Sequence, residues 1–191
     1  MPTLLAICGS VRVRSFNHML MRAAAALAPA GTTVETASIQ GIPLYDGDSE
    51  AASGLPPAVI ALKDQIAKAD GVLLVTPEYN NSLPGPFKNA IDWTSRPAAD
   101  IARIYGGKPI GVIGATPGAG GTALAQAAWL PVLRTLGTLP FFGARVMVSG
   151  AAKVFDEPGA LIDAAVRAQV EKYMAGFAAF VARQTDRHSG R

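Results

Sequence analysis

The sequence predicts an α/β domain built on a doubly wound, mainly parallel sheet of five strands with helices on both faces. Three observations carry that prediction. Continuous apolar runs alternate along the chain with stretches of three- and four-residue apolar spacing, the pattern of repeated βα units. Four of the runs lack the polar alternation of a half-exposed strand, as expected where helices cover both faces of a sheet. The 191 residues contain no internal repeat or interdomain linker, and they suffice for one domain with a sizeable core.

In chain order, the first strand is Thr3 to Cys8 (TLLAIC), followed by a helix with Phe16, Leu20, Ala24 and Leu27 on one face. A shorter, less apolar strand at Thr33 to Ala37 reads as an edge. Val59, Leu62 and Ile66 mark the second helix, and Gly71 to Thr76 (GVLLVT) is the third strand. The third helix spans about Phe87 to Thr94, and the fourth strand Lys108 to Gly114. Leu124, Ala128 and Leu133 outline the fourth helix; Phe141 to Val148 is the fifth strand. Ile162, Val166, Val170, Tyr173, Phe177 and Val181 stripe the last helix. One domain over residues 1–184 follows, with a polar tail from Thr185 to Arg191 (TDRHSGR) expected to fray into disorder. Five strands and five helices in this order suit the flavodoxin-like arrangement 2-1-3-4-5, whereas a two-halved dinucleotide fold needs a sixth strand.

Composition removes several function classes. Half the residues are hydrophobic and 16% are charged, as in a compact soluble protein, and no apolar stretch approaches membrane-spanning length. The N-terminus reaches a strand by Thr3 without a basic region or cleavage site, so a cytoplasmic location and no membrane partner are expected. Cys8 is the single cysteine and ends an apolar run, so it reads as a small buried hydrophobe rather than a nucleophile. Two separated histidines, His18 and His188, give no zinc site, and His18 lacks an acidic or cysteine partner in the sequence pattern. The net charge of +3 is mild and scattered, which fits a small anionic ligand and not nucleic acid.

Three loops carry the chemistry, each following a strand. Gly9-Ser10-Val11-Arg12-Val13-Arg14-Ser15-Phe16-Asn17 offers hydroxyls, an amide, guanidinium groups and the N–H groups of a helix start, a set suited to one anion such as a phosphate. It lacks GxxxxGK[ST], so it is no triphosphate loop, and in the bland alternative Ser15 is an ordinary N-cap with surface arginines around it. Pro77-Glu78-Tyr79-Asn80-Asn81-Ser82 follows the third strand, stiffened by Pro77, Pro84 and Pro86. It presents an aromatic face and paired amides, either for a flat polar heterocycle or simply as turn punctuation. Thr116 to Ala123 follows the fourth strand. Its GxGxxA match at Gly118 to Ala123 lacks the acidic residue about 20 positions on that would hold a ribose, so it reads as a glycine-rich loop admitting a flat ring. In the 2-1-3-4-5 order the three loops converge on one crevice, where a mononucleotide such as FMN fits. No triad or carboxylate pair is apparent, so no catalytic side chain and no metal ligand are assigned, and the chemistry falls to the cofactor.

These residues resemble the NAD(P)H-dependent FMN reductases, a flavodoxin-like group with quinone, chromate and azo-dye reductases among its members. GSVRVRSFN at Gly9 to Asn17, IPLYDGD at Ile42 to Asp48 and PEYNNSLPGPFKNAIDWTSR at Pro77 to Arg96 carry the resemblance, and weaker similarity covers about residues 3 to 180. It implies that Ser10, Arg12, Ser15 and Asn17 hold the FMN phosphate with Phe16 nearby. It implies also that Pro77, Glu78, Tyr79, Asn80 and Ser82 line the flavin ring and ribityl chain, and that Thr116 and Gly118 close the other side. The implied activity is ping-pong hydride transfer from NADPH or NADH through FMN to a small-molecule acceptor: a quinone, free flavin, azo compound or metal oxyanion. The implied assembly is a homodimer or homotetramer, with pairing through the helix carrying Ile91 and Trp93 unless those residues are intramolecular core. Ala123 stands where close quinone and chromate reductase relatives carry an arginine that helps oligomer contacts. Two rival readings share the fold: a flavodoxin-type electron carrier, usually strongly acidic, and a flavin-free regulatory module.

Overall fold

A computed structural model describes residues 1–189. Its centre is a parallel sheet with strands β1 (Thr3–Cys8), β2 (Thr33–Ser38), β3 (Gly71–Val75), β4 (Pro109–Ala115) and β5 (Leu139–Pro140) in the order β2-β1-β3-β4-β5; a short β6 (Met147–Val148) also pairs with β4. The flavodoxin-like sheet order and the α/β class therefore match the expectation, with β2 at the edge.

The unbroken apolar runs are explained by the two faces. Leu4, Ala6 and Cys8 of β1 pack with Leu73, Val75 and Ile113 beneath α1 (Phe16–Ala26) and α7 (Ala164–Ser189). Their alternates Leu5, Ile7, Val72, Leu74 and Ile110 pack beneath α3 (Pro57–Lys68), α4 (Gly85–Thr94) and α6 (Ala123–Thr135). With a helix layer on each side, both faces of a central strand are core.

The structure corrects several details. The apolar run Phe141 to Val148 is not one strand. Pairing with β4 stops after Pro140 and resumes at Met147, because the Phe141 ring turns into an aromatic cluster with Tyr173, Phe177 and Phe180. The gap would strand the amide and carbonyl of Val112, but the Tyr173 hydroxyl serves both, accepting from the Val112 N–H at 2.8 Å and donating to its carbonyl at 3.3 Å. Gly111 makes this possible, since a Cβ there would lie 2.8 Å from that hydroxyl. In α6 the buried face is Ala125, Trp129 and Leu133, while Leu124, expected inside, is 52% exposed. Ile162 is also exposed and precedes α7, whereas Val170, Tyr173, Phe177 and Val181 are buried. Two short helices, α2 (Gly47–Ser53) and α5 (Ile101–Ile104), add to the expected five. The tail expected to fray from Thr185 is helical through Ser189, and residues 190–191 lie outside the described part. Ile91 and Trp93 are 2% and 1% exposed, with the Trp93 indole N–H donating to the Pro43 carbonyl, so both are intramolecular core. No helix among the described residues is long and apolar enough to cross a membrane.

Candidate functional site

The loops after β1, β3 and β4 meet at the carboxyl end of the sheet, where open α/β sheets bind ligands. Gly9, at the end of β1, must be a glycine: a Cβ would fall 2.1 Å from the Phe87 ring, which α4 buries against the sheet. From there the chain passes over Ser10 to Arg14 and enters α1 at Ser15. This residue is extended, and its hydroxyl caps the helix by accepting from the Asn17 N–H at 3.2 Å. Ser10 is buried; its hydroxyl accepts from the Arg12 N–H at 3.3 Å and its carbonyl from His18 Nε2 at 3.1 Å. His18 thus shapes the loop.

The two arginines separate. Arg14 reaches Glu157 at 3.7 Å, across exposed surface. Arg12, also exposed, makes no ion pair among the described residues and lines the cleft, beside the first-turn amides of α1 that helix geometry leaves without an acceptor.

Asn17 has a different task. Its carboxamide donates to the Ala115 carbonyl at 2.8 Å and accepts the Ala115 N–H at 2.9 Å. β3 ends at Val75, so this buried side chain continues the pairing of β4 where the strand no longer does, and it ties the first loop to the third.

After β3, Thr76 is fully buried; its hydroxyl accepts from the Trp129 indole N–H at 3.1 Å and donates to the Pro77 carbonyl at 2.9 Å. Tyr79 and Ser82 then exchange backbone hydrogen bonds of 3.1 and 3.0 Å around Asn80 and Asn81, whose φ values of 50° and 60° make a two-residue hairpin turn. Asparagine tolerates this left-handed geometry, so the Asn-Asn pair forms the turn of a hairpin carrying Tyr79, a residue 42% exposed. Glu78 Oε2 accepts from the Ala125 N–H at 2.9 Å, a cap for α6 supplied from 47 residues away. That helix has no cap from its own Thr122.

The loop after β4 is held by residues that sequence reasoning missed. The Thr116 N–H donates to Val148 and its carbonyl accepts from Ala151, while the Gly118 carbonyl accepts from the Gly150 N–H at 3.2 Å. Gly150, at φ 56°, is the signal that was available, a glycine just past an apolar run. A Cβ on Gly118 would meet only Thr116 Oγ1, at 3.7 Å.

Ser10, Arg12, Ser15, Phe16, Asn17, Pro77, Glu78, Tyr79 and Thr116 thus line one cleft with a volume of about 60 Å³; Asn80, Ser82 and Gly118 are not among its lining residues. Cys8 lies beneath the loop, where burial pushes its thiol up to about 11 against a smaller opposing hydrogen bond with the Ser10 backbone, so it offers no thiolate.

Comparison with known proteins gives one consistent answer. The family model described as NADPH-dependent FMN reductase matches residues 2–153. An NAD(P)H-dependent FMN reductase of Pseudomonas aeruginosa is 41% identical over 179 residues, covering 94% of this chain and 95% of that one. A 2-hydroxy-1,4-benzoquinone reductase of a Burkholderia species is 39% identical over 175 residues, covering 92% and 93%. Among solved structures, the flavoenzyme FerB, an NAD(P)H:(acceptor) oxidoreductase of Paracoccus denitrificans, superposes with a TM-score of 0.85 at 34% identity, over 96% of this chain and 99% of that one. The chain belongs to the NADPH-dependent FMN reductase family, oxidoreductases with FMN as cofactor and a nicotinamide as hydride donor.

Proposed function

We propose that this protein oxidises NADPH or NADH and passes the electrons to small acceptors by a ping-pong cycle in the cleft. The Arg12 guanidinium, which makes no ion pair among the described residues and lines one cleft with the capped start of α1 and the Tyr79 hairpin, is the observation that carries this reading. The volume of the cleft is far below the roughly 300–1,000 Å³ of a whole-ligand pocket. It suits a phosphate, with the flat ring lying in the open between the hairpin and Gly118.

In this reading Arg12, the Ser15 hydroxyl and the α1 amides hold the phosphate. Ser10 sets the loop, while Tyr79 and the Gly118 backbone flank the ring. Asn17 and Glu78 act indirectly, fixing one loop against another. When bound, FMN supplies the hydride-accepting centre, and acceptors of quinone, free-flavin, azo or metal-oxyanion type take the electrons in the second half of the cycle. No side chain acts as acid or base. A cytoplasmic location and a homodimer or homotetramer belong to the same proposal. Support for assembly comes from the exposed Val13 and Leu44, which lie on loops joined by the hydrogen bond from Gln40 to the Val11 carbonyl.

The test is a visible spectrum of the purified protein, then anaerobic addition of NADPH and, separately, NADH, followed by a benzoquinone. Bleaching by a nicotinamide and recovery on adding the quinone are expected. A yellow protein that neither nicotinamide bleaches is an electron carrier instead, and a colourless one that takes up no FMN is a flavin-free module.

A further inference from the structure

The interruption of the fifth strand leaves a hollow of about 240 Å³ on the α6 side of the sheet edge. Val112 forms part of its floor, Leu130 and Leu133 one wall, and Phe142 and Met147 the other. Phe142 is 71% exposed and Leu130 41%, so much apolar surface faces solvent at one concave place.

Its polar groups narrow the occupant. The central edge offers nothing to a pairing strand, because both backbone groups of Val112 are committed to Tyr173. Gln126 spends its amide N–H groups on Thr122 Oγ1 at 3.0 Å and the Val146 carbonyl at 2.9 Å. Arg145 also lines the hollow; it is exposed and makes no ion pair among the described residues. An apolar concavity lined also by Arg145, uncommitted among the described residues, is complementary to an amphipathic anion.

We propose that this hollow is a second ligand site, separate from the cleft, for a small amphipathic carboxylate. The apolar body packs against Val112, Leu130 and Phe142 while the carboxylate meets Arg145. The volume lies below the roughly 300–1,000 Å³ of drug-sized pockets, so a medium-chain or single-aryl carboxylate is the class of ligand.

The probe is decanoate below its micellar concentration, titrated into flavin-loaded protein with methyl-labelled Leu, Val and Met and followed by NMR, with decanol as the neutral control. Saturable shifts at Val112, Leu130 and Met147 are expected, with decanoate binding at least about tenfold more tightly than decanol, the lower end of what a charged hydrogen bond contributes. Arg145→Ala should remove that preference, and Ala127→Trp, which fills the hollow from the surface of α6, should abolish the shifts. Arg145→Lys, which keeps the charge, should retain most of the preference and guards against a folding defect in the other variants. Equal binding of decanol and decanoate, indifference to Arg145→Ala, or shifts that follow protein concentration instead of decanoate would each overturn the proposal; the last would identify the hollow as a self-association face.

Discussion

Strand β4 loses a neighbour in two places, and a side chain replaces it each time. On one edge, beyond the end of β3, Asn17 takes both backbone groups of Ala115; on the other, in the gap of the fifth strand, Tyr173 takes both groups of Val112. The chemistry of the repair is alike and the surroundings differ. Around Asn17 the loops border a cleft in which Arg12 makes no ion pair among the described residues, whereas around Tyr173 the Phe141 ring and the aromatic face of α7 close the gap on one side and leave an apolar hollow on the α6 side. Both repairs leave space beside them, and the lining differs: polar groups and Arg12 beside Asn17, mostly apolar side chains beside Val112.

The comparison can be broken at several points. Asn17→Ala should be the most damaging, leaving Ala115 unpaired and a buried gap, at a cost of roughly 3–5 kcal/mol. Urea unfolding should show the loss, and FMN affinity should fall with it, because the first and third loops come apart. Tyr173→Phe should cost roughly 2–4 kcal/mol in the same measurement, since the hydroxyl serves two backbone groups. In contrast to Asn17→Ala, flavin affinity should stay at the parent value; a parallel loss would mean that the edge and the cleft are coupled.

Arg12→Ala should reverse the pattern, with unfolding unchanged and FMN affinity lower by roughly 1.5–3 kcal/mol in a fluorescence titration of apoprotein. Unchanged affinity would remove Arg12 from the phosphate site. Gly118→Val should also spare the fold, as its Cβ meets little, yet weaken flavin binding or turnover; normal activity would exclude that loop from the site.

The smallest effect concerns a cluster remote from both repairs. Hydrogen bonds from Arg103 first and the buried Lys63 second hold the Asp100 carboxyl well below the usual carboxylate range. A depressed acid stabilises the fold above its unfolded pKa, about 4, and loses that contribution as pH falls through the folded value. Asp100→Asn should therefore be less stable than the parent at pH 7 in thermal unfolding, with the gap narrowing below about pH 4. A gap constant down to pH 2 would place the effect in packing.

Legibility followed burial. β1, β3 and β4 were plain in the sequence because both faces are core, and Ser15 was plain as a cap because capping is local. The fifth strand was not, since an apolar run cannot show that the Phe141 ring will prefer an aromatic cluster to a sheet position. The exposed Leu124 and the buried Trp129 show the same limit in α6, where the apolar stripe is wide enough for more than one face. α2 buries no residue and α5 has only four residues, so neither is long or buried enough to show an apolar period.

By itself the sequence determined the βα alternation, the sheet class and which three loops would carry polar groups, because periodicity, proline and capping act over a few residues. Only the tertiary structure decided how those groups are used. Asn17 and Glu78 bond to residues 98 and 47 positions away, and Arg14 turns to Glu157 while Arg12 faces the cleft. Whether a polar side chain braces the fold or stays free for a ligand depends on partners brought near by the fold, and no local pattern in the chain encodes those distances.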